Sequence, residues 1–281
     1  MGYNHNSKSP SNHARAPITL LAESHQKPRY RKRLTRREPV RCASRFIPDP
    51  METPEHHFPL QTIPSRSREP RFINRYNSRE VLILVDGSCI NNGSKDPTAE
   101  PSGGCSFMFK GPGKSGSQVE FPFKDASYNG GGTIGFPLEK CGPGGESLDA
   151  TSNRAKLRAV IGALEFRPWQ EEGWRRVVIV TDLKYVVDGA TTYLPLWVRR
   201  RWRSRRSTKI ANRDMWEELN GIIENLQGLG TLVSFWLLEP GSFAKTKSVL
   251  ARETKAAAKK AAVGHSDETV SEFTRLCGIM L

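Results

Sequence analysis

The stretches LILVDGS (residues 82–88) and VVIVTDL (residues 177–183) decide how this sequence folds. In each, a run of aliphatic, largely β-branched residues ends at an aspartate, Asp86 in the first and Asp182 in the second. That pattern is typical of a buried strand that carries a carboxylate at its carboxyl end. Ligand and metal sites in α/β sheets gather at such strand ends. Either aspartate alone is equally well explained as the cap of a turn, but two of them, with a helix between, favour a shared site.

The rest of the pattern predicts a mixed sheet of five strands flanked by helices, that is, an α/β fold. Three strands precede the first helix, which indicates that the sheet opens as a β-meander. The predicted strands cover residues 80–90, 103–110, 118–123 or 133–138, 176–181 and 232–238. The predicted helices cover residues 152–166, 183–190, 212–226 and 249–263.

Charge and composition bound the partners of the chain. Its 281 residues carry a net charge of +14, so polyanions, and nucleic acid first among them, are the expected partners. No stretch approaches the ~18 apolar residues of a spanning helix, which predicts no membrane insertion. The five scattered cysteines fit reduced thiols rather than a zinc site. Nothing in the sequence indicates an oligomer.

The composition divides the chain into three regions. Residues 1–78 lack helical or strand periodicity and predict a disordered basic arm, since 16 Lys and Arg stand against 6 Asp and Glu up to Arg79. Its densest run, KPRYRKRLTRR (27–37), suits nuclear import or phosphate contact, or is an exposed tail with neither role. We expect a nuclear or cytoplasmic protein, with a mitochondrial presequence as the alternative. The folded domain is predicted at residues 79–264, followed by a tail at 265–281.

Four segments resemble the type-1 ribonuclease H family, and fit its fungal-type members. They are DGSCINNG (86–93), TSNRAKLRAVIGALE (151–165), TDLKYVVDG (181–189) and NRDMWEEL (212–219). The resemblance covers residues 79–264 and implies a ribonuclease H-like fold. It also implies the family activity, endonucleolytic cleavage of RNA in RNA–DNA hybrids.

The family chemistry uses four carboxylates that hold two Mg²⁺ or Mn²⁺ ions. Matched residue by residue, the first and third carboxylates are Asp86 and Asp182, which are the metal ligands that the resemblance retains. The second position holds Lys156, and the fourth falls on Lys255. The formal charge of the pocket therefore changes from −4 to zero. We expect both ammonium groups to pair with the two aspartates, to oppose cation binding and to leave little or no hydrolysis.

Other acids substitute poorly for the missing carboxylates. Glu253 and Glu165 lie about half a turn or more from the replaced positions on their helices, and Asp188 follows Asp182 on a helix. Asp149, in the loop before the first helix, is the one serious candidate. The assisting His that the family carries before its last helix has no counterpart in PGSFAKTKSVL (240–250).

The features for nucleic-acid binding are retained. WVRRRWRSRR (197–206) contains six Arg and two Trp and falls where the family carries a basic protrusion. Guanidinium groups suit phosphate, and Trp can stack on a sugar or base; for Trp197 a core position is favoured instead. Asn91, Asn92 and Asn153 match family positions that contact the backbone and 2′-hydroxyls, although Asn91 and Asn92 would also be ordinary turn formers. The predicted binding residues are these three Asn together with Arg199, Arg200, Arg201, Trp202, Arg203, Arg205 and Arg206.

Three hypotheses follow for the function. The first is a protein that binds an RNA–DNA hybrid or double-stranded RNA through a ribonuclease H-like fold without cutting it. The second is an active or weakly active metal-dependent nuclease in which Asp86 and Asp182 hold one ion, and Asp149 or the substrate phosphate completes the shell. The third is a protein-interaction scaffold, against which the retained Arg run argues.

Overall fold

A mixed β-sheet runs through the middle of the structure, a computed structural model. The structure describes Met1 and residues 42–65, 69–94, 99–111, 127–128, 132–203, 209–263 and 271–276. All of these except Met1 belong to one unit, Pro39–Leu281. The strands are β1 (Ser44–Arg45), β2 (Leu60–Gln61), β3 (Arg71–Phe72), β4 (Glu80–Ile90), β5 (Ser102–Met108), β6 (Ser127–Tyr128), β7 (Thr133–Pro137), β8 (Arg176–Thr181) and β9 (Leu232–Leu237).

The main sheet has the strand order β1-β9-β8-β4-β5-β7-β6. Strands β1, β9, β8 and β4 run parallel to one another, whereas β4, β5, β7 and β6 pair antiparallel with their neighbours. The mixed α/β class is therefore confirmed, but the predicted number of five strands is too low for the described residues. Two strands of two residues each extend the sheet at its edges, and such short segments leave no periodic pattern in the sequence. The alternative third strand at 118–123 lies outside the described residues.

Helices cover both faces of the sheet. They are α1 (Pro54–His57), α2 (Ser152–Glu165), α3 (Lys184–Asp188), α4 (Leu194–Arg199), α5 (Arg213–Gly228), α6 (Phe243–Lys247) and α7 (Val249–Val263), with a π-helical turn at Gly189–Tyr193 between α3 and α4. Thr151 caps α2, because its side chain accepts a hydrogen bond from the backbone N–H of Arg154. Helix α6 was not predicted, since five residues are too few to show a helical period. None of the helices among the described residues has the length and apolar character needed to cross a membrane.

Alternation along β4 divides the core between the two faces. Val81 and Ile83 point into a cluster with α2 and α5, whereas Leu82 and Leu84 point into a second cluster with α6 and the segment around Phe58. This is the period-2 pattern of a strand buried on both faces. Asp86, two residues further along β4, is therefore held in a strand that is packed from both sides.

The boundaries of the disordered arm and of the tail differ from those predicted. Part of the region 1–78 is folded onto the domain: β1 pairs with β9, and the buried side chain of Arg71 bonds to Glu172 at 3.2 Å. At the other end, Leu276 is buried and the carbonyl of Thr274 accepts a hydrogen bond from Arg158. Single side chains and a short edge pairing hold these segments in place. Their sequences therefore need no apolar periodicity, and none was available to predict that they are folded.

Candidate active site

The two aspartates meet because their strands are neighbours. β4 and β8 run parallel and their pairing ends at Leu84 and Val180, so Asp86, inside β4, and Asp182, just beyond β8, lie at the same end of that pairing. Asp86 is buried, and its Oδ1 accepts a hydrogen bond from the backbone N–H of Gly87 at 2.7 Å. The side chain of Asp182, one residue beyond β8, keeps 17% of its surface exposed. The sheet thus brings together the two carboxylates that the sequence placed at strand ends.

Lys156 fills the space between these carboxylates. Its Nζ lies 2.6 Å from Oδ1 of Asp86 and donates a hydrogen bond to Oδ1 of Asp182. Helix α2 can bring it there because Gly87 has no side chain: a Cβ on Gly87 would lie 2.4 Å from the backbone nitrogen of Lys156. Lys156 therefore lies where β4 and α2 are in close contact, and its ammonium group reaches both carboxylates.

The protonation states reinforce this arrangement. Burial by itself lowers the pKa of Lys156, but the charges of Asp86 and Asp182 outweigh burial and raise it above its ordinary value. Burial likewise raises the pKa of Asp182, whereas Lys156 and Lys245 lower it to about 2, from an ordinary 3.8. At neutral pH the lysine is a cation and Asp182 an anion, so the contact is a charged ion pair.

A second cation, Lys245, was missed by sequence reasoning. It lies on α6, and its Nζ donates a hydrogen bond to Oδ2 of Asp182 at 2.8 Å. Both oxygens of Asp182 therefore accept from ammonium groups. The sequence signal for it is a lysine in PGSFAKTKSVL (240–250), the segment before the last helix that lacks the family's His.

Lys255 does not make the predicted pair with either aspartate. Its side chain is exposed on α7, and among the residues that the structure describes it forms no ion pair with Asp86 or Asp182. Lys156 and Lys245 already contact Oδ1 of Asp86 and both oxygens of Asp182, and Lys255 lies exposed at the cavity wall. The expectation that both replacing lysines pair with the aspartates is wrong for Lys255.

The aspartates border a cavity of about 170 Å³. Three cationic side chains line it as well, namely Lys245, Arg252 and Lys255. The remaining lining is apolar or hydroxyl-bearing and comes from the middle of β4, from the end of β8, from Leu238 and from α7. The cavity is thus a small space whose lining combines three cations and two aspartates with apolar and hydroxyl-bearing residues.

The acids considered as substitutes lie elsewhere. Asp149 is exposed and lines a separate cavity of about 870 Å³. Asp188 pairs with Arg45 at 2.5 Å, and Glu165 with Arg275 at 3.1 Å. Glu253 is exposed and lines a third cavity, beside α1. None of these carboxylates is among the residues that border the cavity of Asp86 and Asp182.

The donor set at the strand ends does not suit a divalent metal. Mg²⁺ requires about six oxygen ligands in near-octahedral array, and the two carboxylates here are engaged by ammonium nitrogens. Over the described part of the chain, no group of three or more His, Cys, Asp or Glu side chains is arranged to hold a metal ion.

The basic segment after α4 lies on the surface. Arg199, Arg200, Arg201 and Arg203 are exposed. Arg205 and Arg206 lie outside the described residues. Arg201 and Trp202 adopt positive φ angles of 52° and 62°, which turn the chain back on itself.

The two tryptophans of this segment differ in environment. Trp197 packs against the core, with its ring centroid 5.5 Å from that of Trp216. The half-buried Trp202 stacks on Trp197 at 6.5 Å between ring centroids, and Arg213 lies over its ring. Trp202 is thus partly covered by its own chain, and the exposed guanidinium groups are the accessible part of the segment.

The three asparagines lie at exposed positions. Asn91 adopts a left-handed conformation with φ 56°, and its Nδ2 donates to the carbonyl of Glu100 at 3.2 Å. Asn92 follows it in the same turn, and Asn153 lies in the first turn of α2. Asn91 therefore acts as a turn former, whereas the side chains of Asn92 and Asn153 are accessible.

Comparison with known proteins gives one consistent family. The RNase H family model matches residues 78–228. Ribonuclease H of Cyanothece sp. is 33% identical over 144 residues, which cover 51% of this chain and 71% of that protein. Ribonuclease H of Xanthomonas euvesicatoria is 40% identical over 142 residues, which cover 50% of this chain and 69% of that protein. For ribonuclease H of Neorickettsia sennetsu, 37% identical over 78 residues, the match spans 50% of the relative. A crystal structure of LC9-RNase H1, a type 1 RNase H with the type 2 active-site motif, is 24% identical and covers 66% of this chain and 74% of that one, with a TM-score of 0.44.

Proposed function

This chain belongs to the ribonuclease H family, and on that premise we propose that it binds RNA–DNA hybrid or double-stranded RNA while its own hydrolytic site is disabled. The observation that carries the proposal is the position of Lys156, whose ammonium nitrogen lies between Asp86 and Asp182. The residues that would hold divalent ions in this family hold a cation of the protein instead.

Electrostatics make this substitution effective. Unit charges 4 Å apart interact by ~4 kcal/mol at an effective dielectric constant of ~20, so a divalent ion meets a repulsion of ~8 kcal/mol from one ammonium group. Lys245 adds a second cation beside Asp182. When bound in an active family member, the metal ions activate a water and stabilise the leaving oxygen. The donor set at Asp86 and Asp182 does not fit those ions, and no hydrolytic step is assigned to it.

Nucleic-acid binding is supported by the surface that remains. The exposed guanidinium groups of Arg199, Arg200, Arg201 and Arg203 form no ion pair with other described residues, so they are available to phosphate. Asn92 and Asn153 offer exposed amide groups suited to 2′-hydroxyls. A binding mode dominated by phosphate contacts is expected to weaken steeply as salt is raised.

Cleavage and binding assays on one substrate test the proposal. A short labelled RNA–DNA hybrid is incubated with the full chain in Mg²⁺ and in Mn²⁺, beside an Asp86→Asn variant, and its binding is measured by fluorescence anisotropy. We expect binding that falls with salt, and cleavage no greater than that of Asp86→Asn. Metal-dependent cleavage that disappears in Asp86→Asn would instead establish an active nuclease.

Restoring acidic residues tests the electrostatic reason. In a variant with Lys156→Glu and Lys255→Asp, titration calorimetry should detect Mg²⁺ binding that the natural chain lacks. Adding Lys245→Met should tighten it further, because Oδ2 of Asp182 then loses its ammonium partner. Equal Mg²⁺ affinity in the natural chain and in the triple variant would show that the lysines do not control the site.

A further inference from the structure

The cavity at the strand ends carries more positive charge than its aspartates neutralise. Asp86 and Asp182 contact Lys156, and Lys245, Arg252 and Lys255 line the cavity beside them. With all of these groups ionised, the formal charge of the cluster is +2. A site that attracts divalent cations elsewhere in this family has therefore become one that attracts anions.

Two of the cations form no ion pair within the part of the chain that the structure describes. Arg252 and Lys255 are exposed, and neither forms an ion pair with a residue that the structure describes. They are three positions apart on α7, so their side chains leave the helix on the same face. Both line the cavity. Lys156 and Lys245, in contrast, are held by the aspartates and provide a fixed positive background.

We propose that this cavity binds one phosphodiester group of the nucleic acid directly, without a metal ion, through Arg252 and Lys255. The inference rests on the proposed function and deepens it. A guanidinium can hold two phosphate oxygens, and an ammonium adds a point charge. Because Lys156 and Lys245 neutralise the aspartates, the phosphate meets no net repulsion from Asp86 and Asp182. Binding at this position requires no divalent ion and tolerates a chelator.

Neutralising phosphates one at a time tests the inference. A methylphosphonate, which is uncharged, replaces successive phosphodiesters in each strand of a short RNA–DNA hybrid, and affinity for the full chain is measured by anisotropy in EDTA. Loss of a charged hydrogen-bonded contact is expected to weaken binding about tenfold or more at one or two adjacent positions. Phosphodiesters that contact the exposed arginines after α4 are expected to give separate losses of affinity when they are replaced.

Variants then assign the cavity position. In Arg252→Gln with Lys255→Gln, the unmodified hybrid should bind about tenfold more weakly. In this variant, the methylphosphonate at the cavity position should no longer weaken binding, whereas methylphosphonates at the other sensitive positions should still weaken it. A double variant at two exposed cations of the same helix, Lys259→Gln with Lys260→Gln, is the matched control and should keep the full positional profile. Lys255→Arg retains the positive charge and should also keep the full positional profile.

The outcomes separate the inference from its premise. If the natural chain fails to bind the unmodified hybrid, the proposed function fails. If it binds, but no position depends on Arg252 and Lys255, the phosphate site is wrong and the proposed function stands. Binding that disappears in EDTA and returns with Mg²⁺ would also overturn the inference. Thermal unfolding of each variant confirms that the exposed substitutions leave the fold intact.

Discussion

Replacing Lys156 by Met should destabilise the protein and, at the same time, make its stability respond to Mg²⁺. In the natural chain the Lys156 ammonium lies 2.6 Å from Asp86 and donates to Asp182. Methionine has a similar length and no charge, so it leaves two facing carboxylates without the cation between them. Lys245 still reaches Oδ2 of Asp182, but Asp86, which is 6% exposed, loses its ammonium partner.

The magnitude follows from the burial of the group. Removing one partner of a buried ion pair costs about 3–5 kcal/mol, because the remaining charge stays desolvated. For a domain of this size each kcal/mol shifts the melting temperature by about 2–4 °C, so the melting temperature should fall by about 6–20 °C. The freed carboxylates should then accept a divalent ion. With a Kd of about 1 mM, Mg²⁺ at about 10 mM would restore about 1.4 kcal/mol.

Thermal and urea unfolding with and without Mg²⁺ measure both effects. Lys255→Met is the matched control, since Lys255 lines the same cavity but is exposed and unpaired in the described structure. We expect it to stay within about 0.5 kcal/mol of the natural chain and to gain no Mg²⁺ response. The reasoning is refuted if Lys156→Met is as stable as the natural chain, or if both variants respond to Mg²⁺ equally.

Three further perturbations test other parts of the structure. The pKa of Asp182 lies at about 2 in the folded protein against an ordinary 3.8, so its stabilising contribution is complete above the higher value and is lost as the pH falls through the lower one. Urea unfolding at several pH values should therefore show that the stability gap between the natural chain and Asp182→Asn narrows from pH 4 to pH 2. Glu139→Gln should lower the free energy of unfolding by about 3–5 kcal/mol, because Arg158, whose side chain is 0% exposed, would lose its bidentate carboxylate. Gly87→Ala should cost about 1–3 kcal/mol in the same urea assay, because the added Cβ would lie 2.4 Å from the backbone of Lys156.

Each of these has a contrary outcome and a control. A constant gap between Asp182→Asn and the natural chain across the acid range would contradict the shifted pKa. Glu217→Gln, which removes an exposed pair with Arg213, is the control and should change the free energy of unfolding by less than about 0.5 kcal/mol. If Glu139→Gln changed it as little as this control does, burial of the Arg158 pair would not determine its contribution to stability. Natural stability in Gly87→Ala would mean that helix α2 can move away from β4.

Sequence reasoning located the central elements well. The predicted limits of β8 and α7 coincide with those observed, Arg176–Thr181 and Val249–Val263. β8 is a continuous run of β-branched aliphatic residues, and α7 is rich in the strong helix formers Ala and Lys, and both signals are local in the sequence. The family predicted from four motifs is confirmed by the family model over residues 78–228. Its fungal-type subclass and the functional roles of the individual residues stay predictions.

Elements held by distant partners were not found. β1 is two residues long and exists because β9 offers it an edge, and α6 is five residues long. Neither segment contains enough residues to show a period, so their conformation depends on contacts made after folding. The same holds for the segment 271–276, which is held by Arg158 and by burial of Leu276.

The sequence by itself determined the family and predicted that lysines replace two of its four carboxylates, because residue identity after a strand or on a helix face is readable from local spacing. Only the tertiary structure decided which ammonium groups neutralise the aspartates: Lys156 and Lys245 do so, and Lys255 does not. A lysine side chain is long and flexible, so its partner depends on where α2, α6 and α7 pack against the sheet. That packing is set by contacts between segments far apart in the chain, which no local pattern records.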